Sequence, residues 1–399
     1  MNYVRKINIV FLFTITTIFI SNFIPFRDFV SNEAFLLLIS QAIIAGPSIV
    51  FLIVESRRQK RFSDGLEINY YSMGYGTGED KKSIREQLCF HKVSLSNVIW
   101  LILFTICITP AINFVNAISR MFSVAAINDT MLNITQKNTY LFALFCVAFV
   151  PCVMEEIVYR GLFYQGYRRV NPLGAAFLSA FLFGILHGNL NQFCYAFVMG
   201  IVFAFVIEAT DSILSTMIIH FIMNGWSITL VYAIPRLIEY LRNMANDAIA
   251  RGDQGLADSI TKLIGTDQVD FKQVLQESGN AVLSDTNFID ILRTYGLTAL
   301  LGGVLAFLIY RKIAKNTGRY EYIKSLFSKN KEYRLEGNHS IPGDEYKGEG
   351  NHYISSDEYK GEGKVKARAL FTLPLLIAIA ICVFFLVINE LTLQGIISM

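Results

Sequence analysis

The stretch YLFALFCVAFVPCVM at residues 140–154 carries no charge, and Glu155 and Glu156 follow it directly. Apolar blocks of this kind recur along the 399 residues, of which 53% are hydrophobic and only 17% are charged. A soluble protein has about 25% charged residues, whereas roughly 20 consecutive apolar residues cross a bilayer as a helix. The sequence therefore predicts an all-α fold, a polytopic transmembrane helical bundle.

The apolar blocks predict eight or nine spans. The fifth, sixth and eighth blocks are short for a bilayer, so we expect them to gain residues from their flanks, to tilt or to be partly re-entrant. The predicted spans are Ile7–Ile24, Ala34–Val54, Asn97–Ser119, Tyr140–Tyr159, Leu173–His187, Phe193–Ile207, Ile213–Ile234, Tyr295–Tyr310 and Ala369–Ile388.

Basic residues cluster at residues 57–61, directly after the second span, and at 311–315, after the eighth. Lys and Arg in short loops mark the cytoplasmic side of a membrane. We therefore expect a cytoplasmic N-terminus and, with nine spans, an external C-terminus. The first block exceeds the usual length of a signal-peptide core and is predicted to be a retained span. The Ile-, Asn- and Phe-rich composition favours a bacterial plasma membrane.

The polar stretches divide the chain into four parts. One polar segment contains a 13-residue repeat, in which EGNH at 336–339 returns at 349–352, and this pattern is typical of a disordered insertion. The predicted parts are N-terminal spans with a cytoplasmic loop at 1–94, a membrane core at 95–234, an extracytoplasmic loop at 235–293, and C-terminal spans at 294–399 with the insertion at 311–368.

The overall charge and the cysteines exclude several classes of protein. A net charge of +3 gives no indication of a nucleic-acid partner. Five of the six cysteines lie inside apolar blocks, and they form neither a disulfide framework nor a paired zinc motif. The lipid bilayer is the one partner that the composition implies, and the oligomeric state stays open.

The first candidate site group is the acidic pair that ends the apolar stretch. Glu156 and Arg160 are four residues apart, so they share a helix face and are expected to pair. Glu155 points about 100° away round the helix and is free to line a cavity. Charges inside a span are costly and indicate function, although this group alone also fits charges at a membrane boundary.

Two histidines in later apolar helices form the other candidate groups. His187 ends one helix, and His220 and Asn224 share a face of another. Each group alone also fits an ordinary role, either a histidine at a helix C-terminus or an interhelical hydrogen-bonding pair. A helix that continues past Arg160 to Arg169, combined with tilt, would bring Glu155 and both histidines to a similar depth.

These groups together resemble a known family, the CPBP membrane proteins, also called the type II CAAX prenyl protease or Abi family. The resemblance covers roughly residues 139–234. It is carried by three motifs in the same order: Glu155-Glu156-x-x-x-Arg160, Phe183-x-x-x-His187 and His220-x-x-x-Asn224.

The resemblance implies an intramembrane endopeptidase that cleaves a membrane-associated peptide or protein without a cofactor. By this resemblance Glu155 is the general base and activates water together with His187. His220 and Asn224 stabilise the oxyanion. The same comparison makes Glu156 and Arg160 an orienting pair and gives supporting roles to Phe183 and Asn191.

Other functions stay open from the sequence. Glu155, His187 and His220 have the composition of a zinc site with two histidines and one glutamate, although the chain contains no HExxH motif. A non-catalytic membrane protein that binds peptides or confers bacteriocin immunity would use the same cavity. A proton-coupled transporter is the third alternative, but the sequence contains no matching halves.

Overall fold

The computed structural model describes residues 3–73, 84–123, 133–135, 137–264, 287–327 and 370–397. The regular secondary structure of these residues is helical, and eight of the described helices are long and apolar enough to cross a membrane. A ninth apolar helix is shorter. The prediction of a polytopic transmembrane bundle with eight or nine spans is confirmed.

Eleven helices build the described part of the chain. Single helical turns at Phe26–Phe29 and Ile84–Gln87 connect some of them. The helices are α1 Tyr3–Ser21, α2 Glu33–Met73, α3 Leu95–Ser119, α4 Tyr140–Arg168, α5 Pro172–Ile185, α6 Leu190–Thr210, α7 Ile213–Ala250, α8 Gln254–Ile264, α9 Phe288–Asn316, α10 Tyr320–Leu326 and α11 Leu373–Leu393.

Two of the three short blocks gain residues from their flanks. The sixth span becomes α6, and the eighth becomes α9. The fifth remains short as α5, Pro172–Ile185. The N-cap of this helix is Asn171, whose side chain accepts a hydrogen bond from the Gly174 amide. The fourth span runs to Arg168, as the apolar pattern beyond Arg160 indicated.

The polar segments are only partly described. Helix α7 continues through Pro235 to Ala250, and α8 follows, so the predicted loop at 235–293 begins as helix. Residues 265–286 of that loop lie outside the described residues. The insertion predicted at 311–368 begins as helix, in the end of α9 and in α10, so the prediction of disorder is wrong for residues 311–326. The repeat at 336–363, with His339 and His352, lies outside the described residues, and its disorder stays a prediction.

Helices α5 and α6 form a tight antiparallel hairpin. An added Cβ at Gly200 would lie 2.6 Å from the Ala180 Cβ and 2.7 Å from its Cα. At the tip of the hairpin, the Asn191 side-chain amide donates to Oδ1 of Asn116 at 2.8 Å and to Oγ of Ser119 at 2.7 Å. The tip is thereby fastened to the end of α3.

An ionic cluster fastens the opposite end of the hairpin. Glu208, 1% exposed, accepts hydrogen bonds from Tyr164 and from Arg168, whose Nη2 lies 3.1 Å from Oε2. Arg319 donates from Nε to the Glu208 carbonyl at 2.6 Å. Asp211 lies next to both guanidinium groups. Helices α4 and α6 are therefore held in register by charge pairs at one end of the bundle.

Candidate active site

The acidic pair lies where the backbone of α4 changes its hydrogen-bonding pattern. An α-helical segment, Val150–Glu155, is followed by π-helical turns at Glu156–Tyr164, and an earlier π-helical turn spans Phe145–Phe149. Single π-turns in α-helices are found often at functional sites. The two neighbouring carboxylates consequently meet different surroundings, since the Glu156 side chain is fully buried and that of Glu155 is 13% exposed.

Glu156 lies between two nitrogen-bearing partners, an arginine and a histidine. Its Oε1 is 3.2 Å from Nη1 of Arg160 and 3.0 Å from Nδ1 of His220. The Arg160 guanidinium lies between two aromatic rings, 4.2 Å from the Phe183 centroid and 4.7 Å from the Phe203 centroid. Cation–π contacts of this kind stabilise a desolvated arginine. The structure therefore contains the expected Glu156–Arg160 pair and adds His220 to it.

His220 connects the two glutamates. A carboxylate only accepts hydrogen bonds, so the Nδ1 proton is donated to Glu156. The other ring nitrogen, Nε2, lies 3.8 Å from Oε2 of Glu155. The Phe203 and Phe183 rings, at 5.6 Å and 6.1 Å between centroids, pack against the imidazole. The ring is thus held with Nε2 towards Glu155.

Glu155 has a partner that the sequence analysis did not identify. Gln41 of α2 donates from Nε2 to Oε1 of Glu155 at 2.9 Å. Gln41 is 5% exposed, although it occupies a helix that otherwise reads as an apolar span. The signal in the sequence is this one amide within the block Ala34–Val54, outside the three motifs.

His187 lies beyond Phe183, in the turn that follows α5. Its Nδ1 lies 2.9 Å from the Phe183 carbonyl. A carbonyl only accepts, so Nδ1 carries a proton, and Nε2 is the nitrogen that can present a lone pair. The Phe183 ring is perpendicular to the His187 ring, 5.2 Å between centroids. No hydrogen bond or ion pair among the described residues joins His187 to Glu155 directly.

The remaining two predicted residues lie in different places. Asn224 follows His220 by one turn of α7, and its Nδ2 donates to the Val147 carbonyl of α4 at 3.4 Å, a long contact. Asn191 is 2% exposed and bonded to α3 at the hairpin tip. The structure therefore sets Asn224 beside the glutamate-bearing helix and gives Asn191 a fastening role.

The ligand atoms of Glu155, His187 and His220 do not all lie within 4.8 Å of one another. Within the described ranges, one group has three ligand atoms all within 4.8 Å of one another, and it consists of Cys89, His91 and Asp211. At that second group, Nη1 of Arg319 lies 3.5 Å from Oδ1 of Asp211 and Arg168 lies close by. Two guanidinium charges oppose the binding of a divalent cation there.

The comparison with protein families agrees with the motifs. Residues 137–226 match the family model described as type II CAAX prenyl endopeptidase Rce1-like. This segment contains the two glutamates, both histidines and Asn224, and the match confirms the family resemblance predicted for this part of the chain. The searches of curated proteins and of solved structures find no significant match.

Proposed function

We propose that this protein is an intramembrane endopeptidase that hydrolyses a peptide bond in a membrane-associated peptide or protein. The single observation that carries the proposal is the cluster of Glu155, Glu156 and His220 inside the membrane-spanning helices α4 and α7. Ionisable groups at such depth are costly to insert and generally serve function. The match of residues 137–226 to the type II CAAX prenyl endopeptidase model supports the same reaction class.

In the proposed reaction, Glu155 and His187 activate a water molecule. Glu155 is the more exposed of the two glutamates, and the close ion pair with Arg160 is made by Glu156. His187 offers the lone pair on Nε2, because its Nδ1 proton is used by the Phe183 carbonyl. A carboxylate and an imidazole in these states accept protons from water.

His220 and Asn224 stabilise the charge that develops on the scissile carbonyl oxygen. Glu156 accepts the Nδ1 proton of His220 and fixes the ring with Nε2 on the Glu155 side, and in the proposed reaction Nε2–H donates to the developing oxyanion. Asn224 lies one turn further along the same helix. A preorganised donor of this kind contributes about 3–4 kcal/mol to the stability of a transition state.

The bonds and protons balance without a cofactor. The water oxygen forms a bond to the scissile carbon while Glu155 takes up the released proton. Collapse of the tetrahedral intermediate breaks the C–N bond, and the proton passes from Glu155 to the leaving nitrogen. The second proton of the water leaves the new carboxyl group and is taken up by the amine, so the products are a carboxylate and an ammonium group, and we propose that no metal ion participates.

We also propose a bacterial plasma membrane with the N-terminus on the cytoplasmic side. The basic residues that follow the second span support this orientation. Under this orientation the cluster of Glu208, Arg168 and Arg319 faces the cytoplasm. Labelling of single introduced cysteines with a membrane-impermeant reagent, in intact cells and in inverted vesicles, tests the orientation.

The proposed activity is tested by comparing membrane peptides, by mass spectrometry, from cells producing the wild type or Glu155→Gln. We expect a defined peptide to accumulate uncleaved in the variant, and the purified wild type to cleave that peptide in liposomes. A matched control is Glu390→Gln, since Glu390 is also a buried glutamate, 8% exposed, but is bonded to Ser123 at the end of α11. The Glu390→Gln variant should cleave the peptide as the wild type does.

The same experiment separates the protease from a non-catalytic peptide-binding or immunity protein. If Glu155→Gln leaves the peptide pattern unchanged, the glutamate mechanism is rejected. If the wild type protects cells from a bacteriocin-like peptide and Glu155→Gln protects equally well, binding rather than hydrolysis is the function. Cleavage that depends on Glu155 supports the endopeptidase.

A further inference from the structure

Gln41 is a buried amide on a helix that lies outside the family match. It belongs to α2, Glu33–Met73, whereas the match begins at residue 137. Gln41 is 5% exposed, in a helix that packs against α4. A primary amide in such surroundings loses its hydration and requires partners within the protein.

Among the described residues, Gln41 makes one side-chain hydrogen bond, and it is to a carboxylate. A carboxylate accepts and does not donate, so the amide is turned with Nε2 towards Oε1 of Glu155, at 2.9 Å. Its own carbonyl oxygen is buried and has no hydrogen-bond partner among the described residues. A methionine of similar length would fill the same space without the cost of that unpaired oxygen.

The two oxygens of Glu155 face different helices. Oε1 is held by Gln41 of α2, and Oε2 lies 3.8 Å from Nε2 of His220 on α7. Contacts on both oxygens fix the rotation of the carboxylate about its last bond. A general base acts only when its accepting oxygen stays within hydrogen-bond reach of the proton, so this rotation bears directly on catalysis.

We propose that Gln41 is a positioning residue for Glu155, which holds Oε1 so that Oε2 faces the histidine side of the site. The inference rests on the proposed function, because it assigns Gln41 to the same reaction. It extends the site from the matched segment to the N-terminal spans. The loss of Gln41 should therefore impair the chemical step more than the binding of substrate.

The first variant to test is Gln41→Met, which keeps the length of the side chain and removes the donor. With the peptide identified by the comparison of wild type and Glu155→Gln, we expect kcat to fall about 10- to 100-fold, the range typical of partners that orient a functional group. KM and the unfolding temperature should stay at the wild-type values. A matched control is Ser48→Ala, a fully buried polar residue of α2 whose Oγ has no partner among the described residues.

The second variant, Gln41→Glu, tests the pH dependence of the activity, which a purely structural role of Gln41 would not change. Two carboxyl groups at this distance repel unless they share a proton, so its activity relative to the wild type should fall as the pH rises. The other titratable groups near Glu155 are the same in both proteins: His220 on α7, Tyr195 on α6, Cys152, Tyr159 and Arg160 on α4, and Glu156, its neighbour in the sequence.

The outcomes distinguish this inference from the proposed function. Wild-type kcat in Gln41→Met, with Glu155→Gln inactive, overturns the role of Gln41 and leaves the endopeptidase standing. Wild-type cleavage by Glu155→Gln overturns both. An equal loss at every pH in Gln41→Met and Gln41→Glu, together with a lower unfolding temperature, would assign Gln41 to folding instead.

Discussion

Nδ1 of His220 lies 3.0 Å from Oε1 of Glu156, inside a bundle whose helices are otherwise mostly apolar. Glu156 therefore holds the ring of His220, whose other nitrogen faces Glu155. The same carboxylate pairs with Arg160 at 3.2 Å. Glu156 thus contacts both Arg160 and His220, whereas Glu155 is the proposed general base.

Replacement of Glu156 should destabilise the protein strongly. Glu156→Ala leaves the Arg160 guanidinium, 1% exposed, without its carboxylate, and breaking a buried pair in this way costs about 3–5 kcal/mol. Glu155→Gln keeps a side-chain oxygen for the Gln41 amide and should cost about 1 kcal/mol or less. Denaturant titration in detergent micelles measures both free energies of unfolding. Equal losses in the two variants would contradict this division of roles.

Chelation should leave the activity unchanged. The ligand atoms of Glu155, His187 and His220 do not form a group within 4.8 Å in the structure, and the proposed proton transfers need no metal ion. Dialysis of the purified protein against EDTA, followed by the cleavage assay, checks this. Activity that disappears on dialysis and returns with added Zn²⁺ would show that the site closes around a metal.

The hairpin of α5 and α6 should not tolerate a side chain at Gly200. An added Cβ would meet the Ala180 backbone at 2.7 Å, so Gly200→Ala should destabilise the protein by about 1–3 kcal/mol, as overpacked cores do. The matched control is Gly303→Ala in α9, where an added Cβ meets nothing within 4 Å. Both variants gain the same helix propensity, so the difference in their unfolding temperatures reports the close approach. Equal temperatures would argue against it.

The contact between His91 and Asp211 should make stability depend on pH. The hydrogen bond to Asp211, and then the one to Cys89, raises the pKa of His91 from 6.5 to about 10. Burial acts to raise the pKa of Asp211, but the His91 hydrogen bond and the Arg319 charge outweigh it and lower that pKa below its usual 3.8. A raised histidine pKa stabilises the fold fully below about pH 6.5 and progressively less towards pH 10.

At acid pH the same pair affects stability through Asp211, and the stability then falls as the pH decreases. Because the pKa of Asp211 is lowered in the folded protein, ionised Asp211 stabilises the fold above the ordinary carboxyl pKa. This stabilisation is lost as the pH falls through the pKa of the folded state. The unfolding temperature of the wild type should decline from pH 6.5 to 10, and His91→Gln should flatten that decline. An identical decline in both proteins would remove His91 as its cause.

The sequence predicted the spans and their order because apolar block length has a direct physical counterpart in bilayer thickness. It also placed Arg160 beside Glu156, since a four-residue spacing fixes the helix face. The bond from His220 to Glu156 was not predicted, because helical spacing gives no distances between different helices.

Gln41 was missed for a related reason. A single amide in an apolar block has no fixed spacing to Glu155, which lies 114 residues further along the chain. The pairing of His91 with Asp211 likewise joins a loop to a helix end across 120 residues. Such contacts arise from the packing of helices, and they become predictable only when the arrangement of the helices is known.

The most direct test of the central claim is hydrolysis in water labelled with ¹⁸O. The peptide that accumulates in cells producing Glu155→Gln is incubated in the labelled water with the purified wild type or a variant in liposomes. The masses of both products are measured by mass spectrometry. We expect one ¹⁸O atom in the new carboxylate for the wild type and for Glu390→Gln, and no product for Glu155→Gln. Labelled product formed equally fast by Glu155→Gln would contradict it.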